Sequence, residues 1–210
     1  MNLTDEDGKL LVELARKAIE EYVINRRKYE PPEEIKKKFS EKAGVFVTIN
    51  RVVGGEKELR GCIGFPEAIL PLHQAVVEAA IAAAVEDPRF EPLSKRELDE
   101  ILVEVSVLTP LQLIKVDSPL QYPDKIKVGE DGLMLKWIWG SGLLLPQVAV
   151  EYGWDAREFL ENLCLKAGIT PDSWLRKDVK IYKFQCLIWE EKGKGEVVRK
   201  NLSSEEVNKE

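Results

Sequence analysis

The run Val45-Phe46-Val47-Thr48-Ile49, followed by Gly54-Gly55 and then Glu58-Leu59-Arg60-Gly61-Cys62-Ile63-Gly64, constrains this chain more than any other feature. β-Branched residues favour an extended backbone, and paired glycines accept the positive φ angles of the tight turns that join antiparallel strands. The segment therefore predicts a β-hairpin. In a strand of period two, Arg60 and Cys62 share one face while Leu59, Gly61 and Ile63 take the other. Pro66 and Pro71 then introduce a helix ending at Glu86, whose Leu72, Val76, Ala79, Ala80 and Ala83 form a stripe able to pack closely on a sheet.

Elsewhere the pattern alternates helices and strands. Thr4 with Asp7 reads as a capping box for a helix over residues 5–27, and Pro31-Pro32 precedes a short charged helix over 33–38. Ser94 with Glu97 caps a short helix ending near Glu100, and a strand over 102–109 follows. Residues 125–128, 133–139 and 143–145 read as a meander turning at Gly129-Glu130-Asp131-Gly132 and Gly140-Ser141-Gly142. Asp155 with Glu158 caps a helix stopped by Gly168, and residues 179–189 read as a last strand. These elements predict an α+β protein of helices packed on mostly antiparallel sheets, in two lobes joined near residues 110–124. Residues 1–190 form the folded unit, and the charged residues 191–210 are expected to be a frayed tail.

Composition narrows the class. Of 210 residues, 44% are hydrophobic and 32% charged, with 31 Lys+Arg against 37 Asp+Glu, which fits a globular chain and argues against broad nucleic-acid binding. No apolar run approaches a membrane span, and the acidic start is unlike a signal peptide, so a cytoplasmic location is expected. Three widely spaced cysteines, Cys62, Cys164 and Cys186, indicate no disulfide framework, and a single histidine, His73, indicates no His-rich metal centre. The abundance of Lys and Glu suits either a thermophile's ion-pair-laced surface or ordinary solvated helices.

The candidate site centres on Cys62. A neighbouring guanidinium at Arg60 would favour the reactive thiolate, and Gly61 and Gly64 remove side chains where a ligand or another backbone could approach. His73, in the first turn of its helix, could act as a neutral base or simply cap it. Arg89, in Asp87-Pro88-Arg89-Phe90-Glu91-Pro92, could clamp an anion or pair with Asp87. Glu104, alternating with valines, requires a partner such as Arg60 or Arg89. Gln147 could orient a substrate through its amide or cap a strand end, whereas Cys164 and Cys186 read as core. Trp137, Trp139, Trp154 and Trp174 read first as core packing.

The hexapeptide Leu59-Arg60-Gly61-Cys62-Ile63-Gly64 resembles the signature of the AMMECR family, named for the Alport syndrome, midface hypoplasia and elliptocytosis chromosomal region, in its archaeal style. Asp87-Pro88-Arg89-Phe90 with Pro92-Leu93, Glu104-Val105-Ser106-Val107-Leu108, and Gly142-Leu143-Leu144-Leu145-Pro146-Gln147 through Glu151 and Trp154-Asp155 extend the resemblance across residues 10–189. It implies an α+β fold of two unequal lobes with the signature strand near the cleft between them. It also implies a pathway link to Memo-like and radical SAM proteins, while naming no reaction, substrate or cofactor. This chain has no three-cysteine radical SAM motif. Two readings follow. One is an enzyme or enzyme subunit using Cys62 as nucleophile or ligand, Arg60 with it, and His73 or Glu104 in proton transfer, with Gly61, Gly64, Arg89 and Gln147 around the substrate. The other is a protein- or peptide-binding module in which Cys62 merely packs.

Overall fold

A computed structural model describes residues 3–200. The chain divides into two compact units: residues up to Leu108 together with Leu187–Lys200, and Thr109–Cys186. Both are α+β.

In the first unit the hairpin forms as its glycines dictate. β1 (Gly44–Val53) and β2 (Glu56–Phe65) pair antiparallel, with Gly54 and Gly55 at φ 62° and 93°. β3 (Ile101–Leu108) pairs antiparallel with the other edge of β1. β8 (Cys186–Gly193) and β9 (Glu196–Lys200) complete a five-stranded sheet of order β2-β1-β3-β8-β9. Two helices, α1 (Asp5–Asn25) and α3 (Leu72–Val85), bury their apolar faces against Val45, Val47, Ile49, Val103, Val105 and Val107. Both Thr4 and Asp7 make the reciprocal capping-box bonds at the start of α1. Between the two helices lies the short α2 (Glu33–Lys38).

The second unit holds a four-stranded antiparallel sheet of order β4-β7-β5-β6, formed by β4 (Gln112–Leu113), β5 (Gly132–Trp137), β6 (Gly140–Leu144) and β7 (Lys180–Phe184). α5 (Ala156–Lys166), capped by Asp155 and Glu158, buries Phe159, Leu160, Leu163 and Cys164 against Leu133, Leu135 and Ile181. A short α4 (Pro146–Glu151) begins on Pro146, whose missing N–H costs nothing at a first helical position. The ends of this unit are clasped: Thr109 donates its N–H to the Gln185 carbonyl at 2.8 Å, and Gln185 donates its own to Thr109 Oγ1 at 2.8 Å.

Several sequence expectations are corrected. Residues 125–128 are not a strand, because Pro123 starts a 3-10 turn and Asp131 accepts the Lys127 N–H at 3.0 Å, closing a tight loop. Residues 179–189 are not one strand, because Gln185 divides them into β7 and β8, which belong to different sheets. The expected tail does not begin at residue 191. Glu191, 1% exposed, meets buried Arg16 of α1, whose Nε donates to Oε1 at 2.7 Å, and it accepts the Val103 N–H at 2.8 Å. Arg16 also donates to the carbonyls of Ile101 at 2.8 Å and Leu98 at 3.3 Å. A carboxylate so paired fixes β8 and its return strand β9 in the sheet. The rest of the expected tail, residues 201–210, lies outside the described residues. Of the tryptophans, Trp174 is core, but Trp139 stands 78% exposed at the β5–β6 turn.

Candidate functional site

The alternation that would align Arg60 with Cys62 is interrupted. In the β1–β2 register Ile49 opposes Gly61 while Asn50 opposes Leu59, so Arg60 is the unpaired extra residue of a β-bulge. Its guanidinium is held by Glu97, with Nε to Oε1 at 2.8 Å and Nη2 to Oε2 at 3.3 Å, and Nη1 donates to the Glu91 carbonyl at 2.8 Å. Glu97 also caps the single 3-10 turn that follows Ser94, accepting the Ser94 N–H at 2.9 Å and hydroxyl at 2.8 Å. Burial would raise the Glu97 carboxyl, but Arg60 and Ser94 outweigh it and push it down to about 2.

Cys62 is half-buried, opposite Thr48 on β1. The Thr48 hydroxyl donates to Cys62 Sγ at 3.2 Å. The Cys62 N–H donates to Asp87 Oδ2 at 2.9 Å, and its carbonyl accepts from Arg89 Nη2 at 3.3 Å. Burial pushes the thiol up, with Asp87 and Glu104 adding to that and Thr48 and Arg89 opposing it. The expected thiolate-promoting cation at Arg60 is therefore corrected: Arg60 is engaged by Glu97, and the charge felt by the thiol is that of Arg89.

Asp87, only 4% exposed, is the hub of this cluster. Besides the Cys62 amide it accepts Arg89 N–H at 3.1 Å, Nε at 3.0 Å and Nη2 at 2.7 Å. These bonds, led by the Arg89 side chain, hold its carboxyl well below the usual range. The Arg89 side chain remains exposed. Both guanidiniums lie over the Phe90 ring, Arg89 at 5.5 Å and Arg60 at 6.0 Å from its centroid.

The glycines are filled by the protein itself. A Cβ on Gly61 would lie 2.1 Å from the Ala83 carbonyl oxygen of α3, and one on Gly64 would lie 2.4 Å from the Phe46 ring and the Val45 carbonyl. Glu104, opposite Thr48 on β3, pairs with Lys200 at 3.1 Å; neither Arg60 nor Arg89 is its partner. His73 is not brought to Cys62. It occupies the second position of α3, whereas Ala83, ten residues on, packs over Gly61, which puts about 15 Å of helix between them. Gln147 lies on α4 of the second unit, its Oε1 buried without a partner. Within the first unit the structure thus gathers Arg60, Gly61, Cys62 and Arg89, adds Thr48, Asp87, Glu91 and Glu97, and sets His73 apart, while Gln147 belongs to the second unit. Of the added residues, the sequence signalled Asp87 through its spacing to Arg89 and Glu97 through its capping-box spacing to Ser94. The others depend on strand register and on a bulge.

Among the described residues, no three or more His, Cys, Asp or Glu side chains gather as a metal ion would require. No described helix is long and apolar enough to cross a membrane. The AMMECR1 family model matches residues 12–189 of this sequence. The chain belongs to the AMMECR1 family. It is 55% identical over 202 residues to a protein of Thermococcus onnurineus, covering 95% of this chain and 98% of that one. A protein of Methanocaldococcus jannaschii is 51% identical over 201 residues, with coverage of 95% and 98%. The crystal structure of an uncharacterised Pyrococcus horikoshii protein superposes with a TM-score of 0.87 at 52% identity, covering 95% of this chain and 98% of that one. The hexapeptide Leu59–Gly64 of this AMMECR1 chain lies in β2, with the bulge at Arg60.

Proposed function

We propose that this AMMECR1 chain is a protein- or peptide-binding module whose signature strand is a rigid framework and whose Cys62 packs without acting as a nucleophile. The observation that carries this reading is the internal use of the strand's polar groups. Thr48 donates to the sulfur, Asp87 and Arg89 hold the Cys62 main chain, and Glu97 with the Glu91 carbonyl occupies Arg60. An activated cysteine needs a general base or a lowered pKa, and here burial pushes the thiol the other way. What the cluster offers outward is the exposed Arg89 guanidinium beside Phe90, a pairing suited to acidic and aromatic side chains of a partner. The three cysteines, none of them in a disulfide, fit a reducing, cytoplasmic setting. A pathway link to Memo-like and radical SAM proteins would fit, with the redox chemistry residing in those partners.

Peptides selected from a displayed library on the immobilised protein test this. They are expected to bind wild type and Cys62→Ser alike and to weaken about tenfold or more on Arg89→Ala, the loss of a charge-assisted contact. Selective alkylation of Cys62 at neutral pH, faster than in the unfolded chain, would overturn the framework reading.

A further inference from the structure

A cavity of about 280 Å³ lies in the first unit where the segment leaving α1 meets α2 and the first turn of α3, lined by Lys28, Tyr29, Glu30, Lys36, His73 and Gln74 with Pro31 and Val77. Its charged groups are already paired. Lys36 donates to Glu33 at 2.9 Å and also meets Glu30, and Lys28 meets Glu78. The amides at the start of α3 are likewise used: Leu72 donates to the Glu41 carbonyl at 2.9 Å, His73 to that of Phe39 at 3.1 Å, and Gln74 and Ala75 to that of Pro71 at 3.0 and 2.9 Å. An anion arriving here finds neither an unpaired cation nor a vacant helix terminus.

Three side chains are different. The Tyr29 hydroxyl, the His73 imidazole and the Gln74 amide have no hydrogen-bond partner among the described residues. Each offers both a donor and an acceptor, provided the imidazole is neutral. Burial, aided by Lys36, pushes the His73 pKa down, against the pull of Glu30 and Glu33. Pro31 and Val77, both buried, add apolar atoms to the lining. A concave site lined by a few uncommitted polar groups together with apolar residues is the usual form of a small-ligand site, and this volume suits a fragment-sized molecule.

We propose that this cavity binds a small uncharged molecule presenting an amide or N-heterocyclic donor–acceptor edge, read by Tyr29, His73 and Gln74. The ligand is recognised by side chains alone. The site is separate from the Cys62 cluster, lying at the opposite end of α3, and does not rest on the peptide-binding reading.

His73 is the one histidine of the sequence, so its ring ¹⁵N and ¹H resonances report the cavity without ambiguity. The full-length protein would be titrated with nicotinamide, adenine and uracil, and in parallel with acetate and inorganic phosphate. A saturable shift of the His73 ring with at least one neutral probe and none with the anions is expected. Tyr29→Phe and Gln74→Ala should each weaken that binding about 3- to 10-fold, the effect of one lost hydrogen bond, while leaving the melting temperature near that of wild type. Absence of a His73 shift with all three neutral probes, shifts of equal size with acetate or phosphate, or unchanged affinity in both variants would each overturn the proposal.

Discussion

Gly61 of β2 lies directly beneath the Ala83 carbonyl of α3, so near that a Cβ would stand 2.1 Å from the oxygen. The helix and the signature strand therefore approach at a distance that only glycine permits. Gly61→Ala should force the two apart and destabilise the protein by about 3 kcal/mol, the upper part of the range for overpacking. Chemical denaturation of the variant measures this, and a loss under about 0.5 kcal/mol would contradict the close approach.

Arg60 and Glu97 join the bulge to the turn after Ser94, with their side chains 13% and 18% exposed. Because both are largely shielded, removing one leaves the other underpaired. Arg60→Ala and Glu97→Gln are each expected to cost about 1.5–3 kcal/mol, with strong coupling in the double variant. Additive losses would show the pair to be energetically idle.

Acid should act on the same pair. The Glu97 carboxyl falls from 4.5 to about 2 on folding. A carboxyl lowered in the native state binds fewer protons there than in the unfolded chain, so its stabilisation is full above about pH 4.5 and disappears as pH falls through about 2. Denaturation midpoints measured from pH 6 to pH 2 should decline less steeply in Glu97→Gln than in wild type.

The Arg16–Glu191 pair ties α1 to β8, the first arm of the β8–β9 hairpin. Glu191→Ala would leave a guanidinium buried without its partner, and a loss of about 3–5 kcal/mol is expected from thermal or chemical unfolding. Ending the chain at Glu190 should abolish cooperative unfolding, whereas a truly frayed segment could be trimmed at no cost.

Local signals in the sequence carried much of the fold. Thr4 with Asp7, Asp155 with Glu158 and the Gly54-Gly55 turn each act through neighbours a few residues away, so their structure follows from spacing. Gln185 is different: nothing in Tyr182-Lys183-Phe184-Gln185-Cys186-Leu187 marks a break, because the change of sheet depends on which distant strands accept each half. Glu191 read as tail since a carboxylate looks solvated until its guanidinium, 175 residues away in sequence, is known. At the candidate site Cys62, Arg60 and Arg89 were visible as unusual residues in a strand and a rigid loop. Their relations were not, because a single extra residue at Arg60 resets the alternation from which facing partners are inferred. Thr48 carries no sequence mark of its own, Glu97 was marked only as the cap partner of Ser94 and not as the ion-pair partner of Arg60, and His73 looked near Cys62 only because eleven positions separate them along the chain, a count that ignores the length of the intervening helix.

The clasp of Thr109 to Gln185 turns residues 109–186 into a cassette. Its two ends are fastened to each other, while β3 and β8, the strands it interrupts, are immediate neighbours in a sheet of their own. Closing a long loop is entropically cheap per added residue once its ends are pinned. The strands on either side, β3 and β8, thus keep their pairing in one sheet while the chain between Leu108 and Leu187 departs and returns through a single fastened neck.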